Sequence, residues 1–272
     1  MSIKSILSAY SGDASKGSGL RHALRLAKHH DAWVTGVLRH GQSDLERTLR
    51  GSVPQSFLTA FFEAERAQFD EIAERFWKVV AAANFEHRCD FVDLNADKGV
   101  SLSDFARSFD LVVTGAHTYA SNEAHLAANP DLIALRSGRP VLVVPDSYEA
   151  DGLANHALVA WDGKRSSARA LGDAMTGLEA KEKVTLLTVG SAQMPGTEYL
   201  LRNLDRHGID AQIVVKPRQG SIAETILATT QDVSAKVLVM GAFEHSKFSH
   251  VMFGGVTTEV IRDASVPVFL SH

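Results

Sequence analysis

Short, largely apolar runs alternate along the chain with longer stretches in which apolar residues recur every three or four positions. In the second half the runs are ALVAW, VTLLTV, AQIVV, KVLVM and PVFL, starting at Ala157, Val184, Ala211, Lys236 and Pro267. Continuous apolar character, rather than strict alternation, predicts strands covered on both faces. The stretches between them, such as SSARALGDAM from Ser166 and TEYLLRNLDRHG from Thr197, predict amphipathic helices. The alternation therefore predicts an α/β fold with an open, parallel, doubly wound sheet. Such sheets bind ligands at the carboxyl ends of strands, where the strand order reverses.

The pattern occurs twice. ILSAYSGDASKGSGLRHALRLA from Ile6 has the shape of ALVAWDGKRSSARALGDAM from Ala157. FDLVVTGAH from Phe109 lines up with AKVLVMGAF from Ala235, and GRPVLVVP from Gly138 with SVPVFLSH from Ser265. Gly115 to Pro140 is 25 positions and Gly241 to Pro267 is 26, a spacing that chance matches would not keep. The chain is a tandem duplication, with domains expected at 1–148 and 155–272 around the linker PDSYEADGLANH. Each domain should hold a five-stranded sheet. The two should pack as a pseudo-twofold pair through VLVV from Val141 and VFLS from Val268, since each is otherwise an exposed apolar edge.

The halves differ in length between strands. Ser11 to Gly115 is 104 positions, against 79 from Asp162 to Gly241. The surplus falls on SFLTAFFEAERAQFDEIAERFWKVVAAA from Ser56, which predicts a long helix with Phe57, Phe61, Phe62, Phe69, Ile72, Phe76 and Val80 on its apolar face.

Composition narrows the function classes. The 272 residues are 45% apolar and 22% charged, with a net charge of −4, so no basic face for nucleic acid is expected. The single cysteine, Cys89, cannot form an intramolecular disulfide and fits a reducing compartment. No apolar run is long enough to span a bilayer, and MSIKSILSAYSGD does not read as a signal peptide. A cytoplasmic protein with no membrane role is expected.

The candidate chemistry sits in GAFEHSKFSHVMFGGVTTEV, residues 241–260. Gly241 closes a strand, a polar loop follows, and Gly254 and Gly255 open a helix whose first N–H groups, those of Val256 and Thr257, point outward. Helix starts of this kind attract anions. Close helix–strand packing is the alternative reason for the two glycines. Gly241 would let the chain turn sharply and admit a ligand to the backbone. Asp162, ending the first strand of the second half, is either an acceptor for a ligand or a turn aspartate satisfied by nearby backbone.

Together the strand-Asp-Gly start LVAWDG, the helix start QGSIAETIL, the glycine loop and the terminal strand VPVFL resemble the universal stress protein family, in its tandem two-domain form. The resemblance covers nearly the whole chain. It implies a flavodoxin-like or adenine-nucleotide-α-hydrolase-like fold, a stress-response regulatory role, and an adenine nucleotide such as ATP or AMP as ligand. Family members that bind nucleotide carry Gly, two residues, Gly, nine residues, then Gly-Ser or Gly-Thr. Gly241 and Gly254 match, whereas Glu244 replaces the middle glycine and Gly255 the hydroxyl residue. Ala160 and Met240 would wall an adenine slot, with Val189 at the further wall position. A carboxylate about 5 Å from a phosphate oxygen costs roughly 3 kcal/mol per charge at an effective dielectric of ~20. Lys247, His245 and His250 would offset part of that, Ser246 and Ser249 could donate, and a solvated loop is the alternative. Weak nucleotide binding in the second half is therefore expected. A scaffold of the same fold that binds no nucleotide is the alternative function.

The first half holds Ser11 at the aspartate position and lacks both later glycines, so no nucleotide is expected there. Asn129-Pro130 reads instead as a helix start. No GxxxxGK[ST], GxGxxG or HExxH is present, and the twelve histidines form no ligand pattern, so no metal is expected. His29 and His30 read as partners of a helix carboxyl terminus, and Cys89 as a buried small residue. No acid, base and nucleophile set argues for catalysis. Protein partners, unnamed by the sequence, are expected, and a homodimer of tandem chains stays open beside the intrachain pair.

Overall fold

Ten strands join edge to edge in one sheet, ordered β3-β2-β1-β4-β5-β10-β9-β6-β7-β8. The computed structural model describes residues 2–11, 17–40, 54–95, 99–116, 128–146, 148–150, 152–242 and 255–272. The first half runs β1 (Ser5–Ala9), α1 (Ser18–His30), β2 (Trp33–His40), α2 (Gln55–Ala82), β3 (Cys89–Asn95), α3 (Leu102–Ala106), β4 (Leu111–Gly115), α4 (Pro130–Ser137) and β5 (Val141–Val144). The second runs β6 (His156–Ala160), α5 (Arg165–Glu179), β7 (Lys183–Val189), α6 (Thr197–Arg206), β8 (Ala211–Lys216), α7 (Ile222–Asp232), β9 (Val237–Gly241), α8 (Val256–Asp263) and β10 (Val268–Ser271).

Every neighbouring pair is parallel except one. At the centre β5 and β10 run antiparallel, with Val143 opposite Val268, Leu142 opposite Phe269 and Val141 opposite Leu270. The two expected five-stranded sheets are thus halves of one sheet, and the apolar terminal strands cover each other as the edge argument requires. Within each half the order reverses between the first and fourth strands, β1/β4 and β6/β9.

The runs of β4 and β5 are buried throughout and that of β6 in all but its last residue, whereas β8, expected to be covered on both faces, has no fully buried residue because it is the edge strand of the sheet. On one face a single apolar cluster crosses the seam, from Leu7 and Val112 through Val141 and Leu270 to Leu158 and Met240. On the other face the core divides. One cluster lies under α1 and α2, another under α5 and α6, and only Val237 and Phe269 pack against both. Arg25 of α1 donates to the linker carbonyls of Ala150 and Gly152, which fastens the connection between halves to the first half.

Local signals explain several element starts. Ser221 accepts from Glu224 N at 3.0 Å while Glu224 Oε2 accepts from Ser221 N at 2.8 Å, a reciprocal cap that begins α7. Ser101 and Asp104 do the same for α3. Asn129 caps α4 by accepting from Leu132 N at 3.3 Å, with Pro130 in the first turn, as the sequence predicts.

The long helix departs from expectation. Of the seven apolar residues assigned to its buried face, only Ile72, Phe76 and Val80 are buried. Phe57 is 51% exposed and Phe62 39%, because the amino-terminal turns of α2 extend past the sheet. The docked end is fixed by Gly36 of β2: a Cβ there would lie 2.2 Å from the Phe76 ring, so the ring occupies the space a side chain would take.

Candidate functional site

The reversal in the second half places the carboxyl ends of β6 and β9 side by side, in register through Val159 and Val239. Ala160 then ends β6, Met240 and Gly241 end β9, and Val189 ends β7. Met240 is 5% exposed within the cluster that crosses the seam, and Ala160, Val189 and Val256 pack half-buried against that same cluster. Four residues separated by up to 96 positions of sequence thus share one apolar floor. Thr257 is buried in the first turn of α8.

Asp162 follows β6 in an exposed turn. Its Oδ1 accepts from Lys164 N at 3.0 Å, and its Oδ2 lies 3.8 Å from Lys164 Nζ, with both side chains half exposed. One oxygen therefore does what a turn aspartate does. The other is held by a loose surface ion pair, which is worth little. The sharp bend belongs to Gly163, whose φ of 72° is left-handed.

Gly241 has a different job from the one expected. It does not adopt a positive φ. A Cβ at this position would lie 2.5 Å from the Ser166 carbonyl carbon and 2.6 Å from Ser167 N. The first turn of α5 crosses the end of β9 at backbone contact, and only glycine permits that crossing. Sharp turning is thus corrected to close packing.

At α8 the outcome is reversed. Gly255, which precedes the helix in extended conformation, has no described residue within 4 Å of where a Cβ would sit, so packing against the described residues does not account for it. Among the described residues no side-chain cap hydrogen bond is formed at this helix start. Glu259 in its first turn complements the helix dipole and competes with any external anion. Gly254 and Glu244, with His245, Ser246, Lys247, Ser249 and His250, lie outside the described residues.

Two residues at this end of the sheet went unread in the sequence. Thr188 Oγ1 donates to the Trp161 carbonyl at 3.0 Å and ties the end of β7 to the chain leaving β6. Trp161 Nε1 is buried without a hydrogen-bond partner among the described residues. Both look like ordinary strand residues in the sequence, and no motif marks them. Elsewhere Cys89 is buried, which pushes its thiol up to about 12 and leaves it an inert core residue. Among the described residues no group of three His, Cys, Asp or Glu side chains could hold a metal ion. No described helix is long and apolar enough to cross a membrane.

Comparison with known proteins bears on this geometry. Residues 192–272 match the model of the universal stress protein family. A universal stress protein of Synechocystis sp. is 27% identical over 177 residues, 61% of this chain and 59% of its own length. The match therefore spans less than two thirds of that relative. Among solved structures, a universal stress protein from Archaeoglobus fulgidus DSM 4304 superposes with a TM-score of 0.70 at 15% identity, covering 100% of this chain and 96% of its own. A functionally unknown protein from Pseudomonas aeruginosa PAO1 gives 0.56 at 14% identity, covering 99% and 92%. At those identities the structural likeness speaks for the fold, and it extends over both halves.

Proposed function

We propose that this chain, a member of the universal stress protein family, is a stress-response binding module whose second half takes an adenine nucleotide weakly. The observation that carries the reading is the start of α8, without a side-chain cap among the described residues, beside an apolar floor at the strand-order reversal. Ala160, Val189 and Met240 would hold the base, Asp162 the ribose, and the N–H groups of Val256 and Thr257, next to Gly254 and Gly255, the phosphates. ATP and AMP fit the same donor set. Glu244 would keep the affinity low. The module acts in the cytoplasm through protein partners, as one chain or a homodimer of chains.

A second reading, an interaction scaffold without nucleotide, is favoured by one observation. Asp162 already accepts from its own backbone, and Glu259 already serves the α8 dipole. Calorimetry of the full chain with ATP, ADP and AMP separates the two. The nucleotide reading expects saturable heat in the parent that strengthens in Glu244→Gly. No heat in either protein would leave the scaffold.

A further inference from the structure

The face on which the core divides holds a cavity of about 150 Å³. It lies over the β5–β10 seam, between α1 of one half and α5 of the other. Its apolar lining comes from both halves: Leu111 and Leu142 from the first, Val239, Leu178 and Phe269 from the second. The gap has a cause in the sequence. Gly177 faces it from α5, and a Cβ added there meets nothing within 4 Å.

The charges around this cavity do not balance. Its cations are Lys181, half-buried, and Lys236. His22, His29 and His30 from α1 also line it, but burial and the neighbouring positive charges lower His22 and His30, so those two add no charge to the balance at neutral pH. The one carboxylate in the lining is Asp173, already engaged by Arg169 Nε at 2.7 Å and Ser271 Oγ at 2.5 Å. No described side chain forms an ion pair with Lys181, and burial holds its ammonium below the usual lysine range. A half-buried cation without a counter-charge, beside an apolar floor, is the complement of an apolar anion. The carboxyl ends of α1 and α5 point their partial negative charge here, which opposes any anion, and a phosphate more than a monoanion. A cavity of roughly 150 Å³ is large enough for one aromatic ring.

We propose that the seam cavity binds a small amphiphilic carboxylate, with a body the size of one aromatic ring over Leu142, Val239 and Phe269 and its carboxylate toward Lys181. This site is separate from the nucleotide crevice, which lies on the opposite face. Because its lining is shared, an occupant would tie the two halves together.

Benzoate, benzamide and acetate serve as probes, titrated into the full chain by ligand-observed NMR. Benzoate should saturate and bind at least about tenfold tighter than the neutral amide or the bodiless acid. Lys181→Met should reduce benzoate to the level of benzamide and leave benzamide unchanged. Gly177→Leu fills the cavity on a helix that gains by losing a glycine, and it should abolish binding of both ring compounds. Circular dichroism checks that each variant is folded. Absence of saturation up to about 10 mM benzoate, equal affinity for benzoate and benzamide, or undiminished binding in Gly177→Leu would each overturn the proposal.

Discussion

The two crevices at the strand-order reversals began as copies and now differ at each point that matters to an anion. In the first half Ser11 follows the first strand, and the helix after the fourth strand is closed by its own residues. Asn129 takes the N–H of Leu132, and Pro130 has none to offer. In the second half Asp162 follows the first strand, and α8 begins at Gly255 with no side-chain cap among the described residues. What the halves share is the crossing beneath. Gly19 of α1 meets Thr114 and Gly115 at the end of β4 as Ser166 meets Gly241 at the end of β9. Duplication has kept the packing and let the surface chemistry diverge, so the glycine common to both halves reports on architecture. The proposed ligand site draws instead on those at 254 and 255.

That division can be broken most severely at the crossing. Gly241→Ala forces a Cβ against backbone at 2.5 Å and should cost about 3 kcal/mol by overpacking. Gly19→Ala, whose Cβ would meet backbone at 2.8 Å, should cost less. Chemical denaturation of the two variants checks the order, and an unaffected Gly241→Ala would remove the packing account.

Acid should strike the first half hardest, through His22, although burial lowers His156 of the second half as well. His22 and Arg169 occupy the same place in the repeat, each directly before an Ala-Leu pair. Arg169 is exposed and bonded to Asp173. His22 is buried, and burial together with the charges of Arg25 and Lys181 lowers it from 6.5 to about 4. Above pH 6.5 the histidine is neutral in both folded and unfolded chains. As pH falls from 6.5 to 4 the unfolded chain gains a proton that the folded one refuses. Stability is therefore lost through that window, by about 3 kcal/mol at most, and no further from this group below it. His22→Gln should flatten that part of the stability-against-pH curve, and hydrogen exchange resolved by half should place the opening in the first half.

Two smaller effects sharpen the contrast between crevices. Asp162→Ala in a Glu244→Gly background should weaken ATP by about ten- to hundredfold, measured calorimetrically, with a stoichiometry near one per chain throughout. Asn129→Ala uncaps α4 and should cost about 1 kcal/mol in a thermal melt. It should create no second nucleotide site, since Pro130 and Ser11 remain. A stoichiometry approaching two would show that the cap alone closes the first half.

The fold was readable because its information is carried by contiguous runs. Each β-run is long enough to identify itself, and the paired VLVV and VFLS at equivalent ends of the repeat disclosed the seam. Residues were misread where the cause lies across space. Phe57 and Phe62 keep helical spacing along α2, yet spacing does not say where the neighbouring sheet stops. Gly241 looks like a turn glycine until α5 is seen lying against it. Ala160, Val189, Met240 and Val256 were assembled from the repeat and the resemblance, and nothing in their own identities distinguishes them from core. Asn129 was read correctly because a cap and its helix are adjacent in sequence.

The antiparallel junction of β5 with β10 has a further effect. All strands of one half run against all strands of the other, so the carboxyl ends of the two halves emerge at opposite poles of the molecule. Neither crevice can shadow the other, and a substitution at one pole meets no neighbour at the other. Drift at the first-half pole was thus free of cost to the second, and a visitor at either pole leaves the opposite one unobstructed. The chain is a body with two independent addresses.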